Sequence, residues 1–363
     1  MKFNIIKFIY KRLVKEFFYL LYGRINYKPN SYENKNIQVN KINISKKISY
    51  KVYLVNKARV YTDRIHNFAV ILKNNLIEGA SYQFINNNLS NIKNNAVLEH
   101  GTPKFKKKIN GKVLSLLSGG GANKNYYHWL FDVLPRIFLV SKKYKIKDIN
   151  FFLLPSYQEH FQKDTLRLLG IQKDRVLESK YFRHFSCDTI ISSDHPYRFS
   201  LNAKKDVENI PIWISKWLRK NFLKKKKITF FKKIYIDRRP KKIDKYGRSI
   251  INNIEVKSFL EKKGFKSIYL EDYSFLDQVN IFSNAQIIVG LHGAGFANIV
   301  FCKRKTAIIE IMSITTNNQI KNLANQNNLN YSNLIGDSVS KTLGQQGNLV
   351  ISLNLLQNKL NKL

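Results

Sequence analysis

The stretch Gln286-Ile287-Ile288-Val289-Gly290-Leu291-His292-Gly293-Ala294-Gly295-Phe296-Ala297-Asn298 constrains the fold more than any other part of the chain. A short apolar run enters a glycine, then a histidine, then two further glycines, and small residues open a helix. That is the pattern of a buried parallel strand feeding a tight turn. Glycine lets backbone approach a ligand, and free N–H groups at a helix start suit a phosphate. A second apolar strand follows at Thr306-Ala307-Ile308-Ile309-Glu310-Ile311, carrying one carboxylate. Strand, glycine turn, helix and an acid on the next strand can hold a nucleotide, with phosphate at the turn and ribose on the acid. The order Gly293-x-Gly295-x-x-Asn298 lacks the third glycine of the dinucleotide fingerprint. The same residues therefore also fit a plain tight turn with a core histidine.

Regular alternation surrounds this unit. Strands at Lys233–Asp237, Ser267–Glu271, Gln286–Gly290 and Ala307–Met312 are separated by helical patterns at Asn253–Lys263, Ser274–Asn284, Ala294–Phe301 and about Gln319–Asn325. Such alternation predicts a parallel sheet covered on both faces, hence an α/β class. Short alternating segments between residues 30 and 95 read as strands and loops. A strand at Lys112–Ser118 runs into Gly119-Gly120-Gly121, and Asn125 is placed to cap a helix from Tyr126 to about Ser141, which Pro135 would kink. A polar loop from His195 to Asn209 is the candidate hinge. The organisation expected is a basic amphipathic segment 1–29, an α/β domain 30–209, a nucleotide-binding Rossmann-like domain 210–345, and a segment 346–363 folding back on the first domain.

A length of 363 residues suits two domains with separate cores. Cys187 and Cys302 form no CxxC or metal-ligand spacing, which fits a reducing compartment. The net charge of +39 admits an anionic membrane, an acidic substrate or nucleic acid as partner. Nucleic acid is disfavoured: no helix-turn-helix, zinc finger or RNA-recognition motif is present, and the Lys224–Lys227 run lacks interleaved aromatics. In segment 1–29, charges interrupt the apolar residues before the ~20 needed to span a bilayer. The segment instead suits a helix lying in a membrane interface, which places the protein in the cytoplasm, peripheral at the inner face of the plasma membrane.

Several side chains are positioned for chemistry. Arg238 and Arg239 stand at the C-terminal end of a predicted strand, with Arg248 beyond, where α/β sheets bind ligands and where a guanidinium fork meets phosphate. His128 and Asp132 lie four apart, on one helix face; a carboxylate there can orient an imidazole that accepts a proton. No Asp-x-Asp occurs and acids number only 24, so no metal is expected and positive charge for a leaving diphosphate falls to arginines and helix N-termini.

Three motifs in order resemble glycosyltransferase family 61: Asn125-Tyr126-Tyr127-His128-Trp129-Leu130-Phe131-Asp132-Val133-Leu134-Pro135-Arg136, Tyr235-Ile236-Asp237-Arg238-Arg239, and Gly290 to Asn298 with Glu310 beyond. The resemblance spans about Gly119 to Met312. That family includes bacterial capsular polysaccharide enzymes, plant xylan arabinosyl- and xylosyltransferases and animal O-linked N-acetylglucosaminyltransferases. The chain carries Asp237 where members often have Ser, and Phe296 where Leu is usual. The resemblance implies a GT-B architecture, two Rossmann-like domains facing across a cleft, and an inverting, metal-independent transfer. The donor is a nucleotide sugar, UDP-linked by expectation, and the acceptor a glycan or lipid-linked glycan of bacterial surface polysaccharide synthesis. By position, Arg238, Arg239, His292, Gly293, Ala294 and Gly295 would hold the donor's diphosphate and Glu310 its ribose, with Arg248 and Asn298 also on the donor-binding side. His128 and Asp132 would lie on the acceptor side, with either as the base. Two other classes compete: a non-catalytic basic protein binding anionic polysaccharide, nucleic acid or membrane, and a Rossmann oxidoreductase, which the missing glycine disfavours.

Overall fold

The computed structural model describes residues 2–119, 124–200, 202–223, 231–239, 248–339 and 341–363. The Lys224–Lys227 run and Gly120 and Gly121 lie outside them. The described chain is mixed α/β and divides into two compact units, Met1–Asp206 and Val207–Leu363.

In the second unit the expected alternation becomes a five-stranded parallel sheet. Its spatial order is Lys266–Ile268, Lys233–Ile236, Ile287–Leu291, Ala307–Met312, Asn330–Ile335. In sequence terms that is 2-1-3-4-5, and the order reverses between Lys233–Ile236 and Ile287–Leu291. The C-terminal ends of those two strands therefore flank a topological switch point, where open α/β sheets take their ligands. Both faces are buried, as a parallel sheet requires. Tyr235, Val289, Ile309 and Ile311 pack with Val256, Leu260 and Leu356 in one core, while the alternate residues Ile234, Ile288 and Ile308 are equally buried. The segment 346–363, expected to fold back on the first domain, groups with the second unit. Helix Leu353–Asn361 places Leu356 in the core of the second, with Leu353 and Leu360 against it, because its apolar residues recur at three- and four-residue steps and match that sheet face.

The first unit departs from a simple Rossmann expectation. Its large sheet is parallel across Val176–Glu178, Phe151–Leu154, Lys107–Ser115 and His184–Ser193, and again at the short pairing of Asn26–Tyr27 with Asn75–Leu76. The far edge of His184–Ser193 pairs antiparallel with Ser49–Asn56 and Arg59–Thr62, and further antiparallel strands extend the sheet. The reason is local: the connections are too short for crossover helices. Asn67–Leu72 and Asn75–Leu76, for example, are joined by Lys73-Asn74, both at positive φ, in a two-residue hairpin. The core here is Val55, Val60, Phe68, Val70, Val113, Leu153, Phe185 and Ile190.

The helix expected from Tyr126 to Ser141 is present but not uniform. Asn125 caps it, its side chain accepting from the N–H groups of Tyr127 and His128. Trp129–Val133 then widens into a π turn, and Leu134–Ser141 resumes as α-helix with Pro135 in its first turn. Proline has no N–H and its ring clashes with the carbonyl four residues back, here Phe131. The chain relieves this by reaching five back, Leu134 N–H to the Trp129 carbonyl.

Candidate active site

In the first unit the C-terminal ends of two adjacent parallel strands, Lys107–Ser115 and His184–Ser193, carry the segments that follow them into one cluster. After the first, the Ser118 hydroxyl donates to the Asp132 carbonyl at 3.2 Å, tying the strand end to the π turn. Beyond the second come His195 and Tyr197. Asp132 sits at the centre, its side chain 2% exposed. Its Oδ2 lies 3.0 Å from His128 Nδ1, and its Oδ1 accepts from the Tyr197 hydroxyl at 2.5 Å. His195 Nδ1 accepts the backbone N–H groups of Tyr197 and Arg198, at 3.3 and 3.1 Å. Its proton therefore sits on Nε2, which faces Asp132 Oδ2 at 3.6 Å.

The electrostatics follow from burial and from this one charge. Burial resists ionisation of Asp132, but His128 and His195 beside it hold its carboxyl well below the usual carboxylate range. Burial pushes His195 down to about 4, with Asp132 opposing. Burial, reinforced by Asp132, keeps the Tyr197 hydroxyl protonated far above its ordinary range. A buried carboxylate thus fixes His128 through Nδ1–H. That leaves Nε2, on a side chain 23% exposed, with no protein partner among the described residues. Such a nitrogen is available to take a proton from a ligand.

At the switch point of the second unit, Arg238 and His292 meet. Arg238 Nη2 donates to the His292 carbonyl at 2.5 Å, and Arg248 Nη1 donates to the same oxygen at 2.8 Å. Arg238 Nη1 also reaches the Arg248 carbonyl at 3.3 Å. Two guanidinium groups therefore lie side by side, both half-buried, with no carboxylate in ion-pair range among the described residues. Burial, and then the charge of Arg248, push Arg238 down to about 10. The glycines explain this approach. A Cβ on Gly293 would stand 2.0 Å from Arg238 Nη2, and one on Gly290 would stand 2.9 Å from Ile236 Cβ. Ala294 opens the 3-10 helix Ala294–Phe301 directly after.

Three expected donor contacts need correction. Glu310 was expected at a ribose, but it is fully buried, one oxygen on His292 Nδ1 and the other accepting from the Tyr331 hydroxyl at 2.6 Å. Its place in the middle strand pair of the sheet turns it inward, where it orients His292. Asn298 is equally buried and donates to Gln278 Oε1 at 3.0 Å and to the Gly295 carbonyl, so it braces the turn. Arg239 points elsewhere: it pairs with Glu271 and Asp272 and covers the Tyr269 ring at 4.9 Å. His128, Asp132, Arg238, Arg248 and His292 remain as groups able to face a ligand or directly orient one that does.

Each unit thus contains a histidine whose Nδ1 meets a buried carboxylate that also takes a tyrosine hydroxyl. His195, Tyr197 and Tyr331 were not legible as site residues. The first two sit in what the composition marks as a polar loop; the proline between them, within His195-Pro196-Tyr197, was the available signal. Among the described residues no group of three or more His, Cys, Asp or Glu is arranged to hold a metal ion.

The family model described as Glycosyltransferase 61 matches residues 126–309, half of the chain. The chain belongs to glycosyltransferase family 61. A glycosyltransferase 61 enzyme transfers a sugar from a donor to a glycan acceptor, and the readings as a non-catalytic binding protein or an oxidoreductase fall with this membership. The glycosyltransferase 61 match begins at the residue after the Asn125 cap and ends one residue before Glu310, so it includes His128, Asp132, His195, Tyr197 and the Arg238–Arg248–His292 group. No curated protein matches the chain.

Proposed function

We propose that this glycosyltransferase moves a sugar from a nucleoside diphosphate donor, UDP-linked, to a glycan hydroxyl by metal-independent direct displacement with inversion. The donor is assigned to the second unit and the acceptor to the first, in the manner of a GT-B enzyme. The observation carrying this reading is the pair Arg238 and Arg248, two half-buried cations converging on one carbonyl with no carboxylate in ion-pair range among the described residues. Like charges held together at a switch point are stabilised by an anion, and a guanidinium pair matches the oxygens of a diphosphate. His292, oriented by Glu310, adds a donor there when its ring is protonated.

In the first unit His128 is the base and Asp132 its orienter, because Asp132 spends both oxygens on protein donors while His128 Nε2 stays open. The acceptor oxygen loses its proton to Nε2 as its electron pair attacks the anomeric carbon. The bond from that carbon to the diphosphate oxygen breaks on the opposite face, and the electrons leave with the nucleotide. Asp132 stabilises the imidazolium that forms. The biological setting we assign is bacterial surface polysaccharide synthesis on the inner face of the plasma membrane.

Titration of UDP and assay of transfer test this together. His128→Ala and Asp132→Asn should abolish transfer while changing UDP affinity by less than about two-fold. Arg238→Ala should weaken UDP by roughly 10- to 100-fold, as expected for a lost charge-assisted bond. Loss of UDP affinity in both of the first two variants would move those residues to the donor side or to folding. Unchanged affinity in Arg238→Ala would remove it from the site.

A further inference from the structure

Helix Lys2–Tyr22 carries an exposed apolar face. Ile6, Ile9, Leu13, Phe17, Leu20 and Leu21 are all exposed, Leu20 at 89%. At about 100° per residue they fall within one stripe roughly 120° wide. Lys11, Arg12 and Lys15 lie off that stripe. The helix is anchored at its C-terminal end instead: Phe18 is buried, Tyr19 donates to the Glu99 carbonyl, and Tyr22 accepts the N–H of Lys106. A second element extends the apolar surface. Phe105 is 71% exposed and packs edge-on against both Phe17 and Phe18. It is flanked by Lys104, Lys106, Lys107 and Lys108. No helix among the described residues is long and apolar enough to cross a membrane.

The stripe runs into a cavity of about 290 Å³ that Leu21 and Tyr22 help to line. Four cations, Lys57, Arg59, Lys73 and Lys106, surround it, and none of its lining residues is a carboxylate. Arg59 is half-buried, and among the described residues its guanidinium hydrogen-bonds to neutral groups, Asn74 Oδ1 at 3.0 Å and Thr102 Oγ1 at 3.4 Å. Arg59 and Lys106 both stand over the Tyr22 ring, each 5.6 Å from its centroid. Burial lowers the Arg59 pKa, the signature of a cation short of a counter-charge. We propose that this cavity takes the phosphate head of a membrane lipid while the stripe and Phe105 enter the acyl boundary beside it. The pairing is chemical: an apolar face bordered by a cavity of uncompensated cations matches an anionic lipid, which presents hydrocarbon and phosphate in the same order. This assignment involves no residue of the sugar-transfer reading and stands or falls separately.

Vesicle flotation with the full-length protein, without sugar donor, tests it. Vesicles of phosphatidylcholine containing phosphatidylglycerol should carry the protein, and pure phosphatidylcholine should not. Leu13→Asp with Leu20→Asp should abolish flotation. Arg59→Gln and Lys106→Gln should each weaken it roughly five-fold, whereas Lys262→Gln with Lys321→Gln, which removes two exposed charges in the other unit, should change it less than two-fold. Lys106 is exposed, so its variant keeps the test in force if Arg59→Gln fails to fold. Equal flotation with both vesicle types would overturn the proposal, as would cavity variants no weaker than the distant pair. Saturable binding of inorganic phosphate without vesicle binding would show a free-anion site and overturn the lipid assignment.

Discussion

At the scale of single residues, the structure turns on buried histidines held neutral. His195 and His184 are both buried, and burial pushes each down to about 4 from an ordinary value near 6.5. For His184 the charges of Arg59 and Lys106 add to burial, and its bond to the Lys104 carbonyl opposes it. The sign follows from proton counting. Between about pH 6.5 and 4 the unfolded chain binds these protons and the folded chain does not, so folding stability rises with pH there. The contribution is fully present above 6.5 and is lost as pH falls toward 4. Urea denaturation should therefore give a folding free energy at pH 5 lower than at pH 7 by about 2 kcal/mol per histidine. A flat profile over that interval would mean that neither ring is held neutral. The chain alone showed His128 and Asp132 four apart but left either as the base. The proposed choice of His128 draws on the Tyr197 hydroxyl, 65 residues away in sequence, on the second carboxylate oxygen of Asp132.

Among the elements, the segment Tyr126–Ser141 shows most directly how sequence shapes the site. Pro135 was legible as an interruption, and the π turn at Trp129–Val133 is the form it takes. That turn includes Asp132 and lies directly after His128, so it sets the offset between the two. Pro135→Ala would restore an N–H and remove the ring clash, letting regular α-helix continue and rotating Asp132 relative to His128. A misplacement of about 1 Å in a catalytic group costs up to ~100-fold, so transfer should fall roughly 10- to 100-fold while UDP affinity stays unchanged. Unaltered kcat in that variant would show that the π turn is incidental to the site. The glycine–histidine turn teaches the converse lesson. Its glycines suggested room for a phosphate, yet Gly293 is small because Arg238 itself packs against its backbone. The cation occupies that space.

For the whole molecule, the proposed function divides the chemistry between the two units. If the donor belongs to Val207–Leu363, saturating UDP should slow amide hydrogen exchange around Ile236–Arg239 and Leu291–Phe296 and leave Lys107–Ser115 and His184–Ser193 unchanged. Protection centred on the first unit's strands would reverse the assignment. The sequence by itself determined the parallel second sheet, because its apolar strands and intervening helices repeat with local periods that need no distant partner to be recognised. It also carried the family motifs and the arginines beside the glycine turn. Only the tertiary structure decided the antiparallel extension of the first sheet, the inward turn of Glu310, and the docking of Leu353–Asn361 in the second core. Each of those depends on which side chains from remote segments fill the same volume or satisfy the same buried charge, and such pairings leave no periodic trace along a chain.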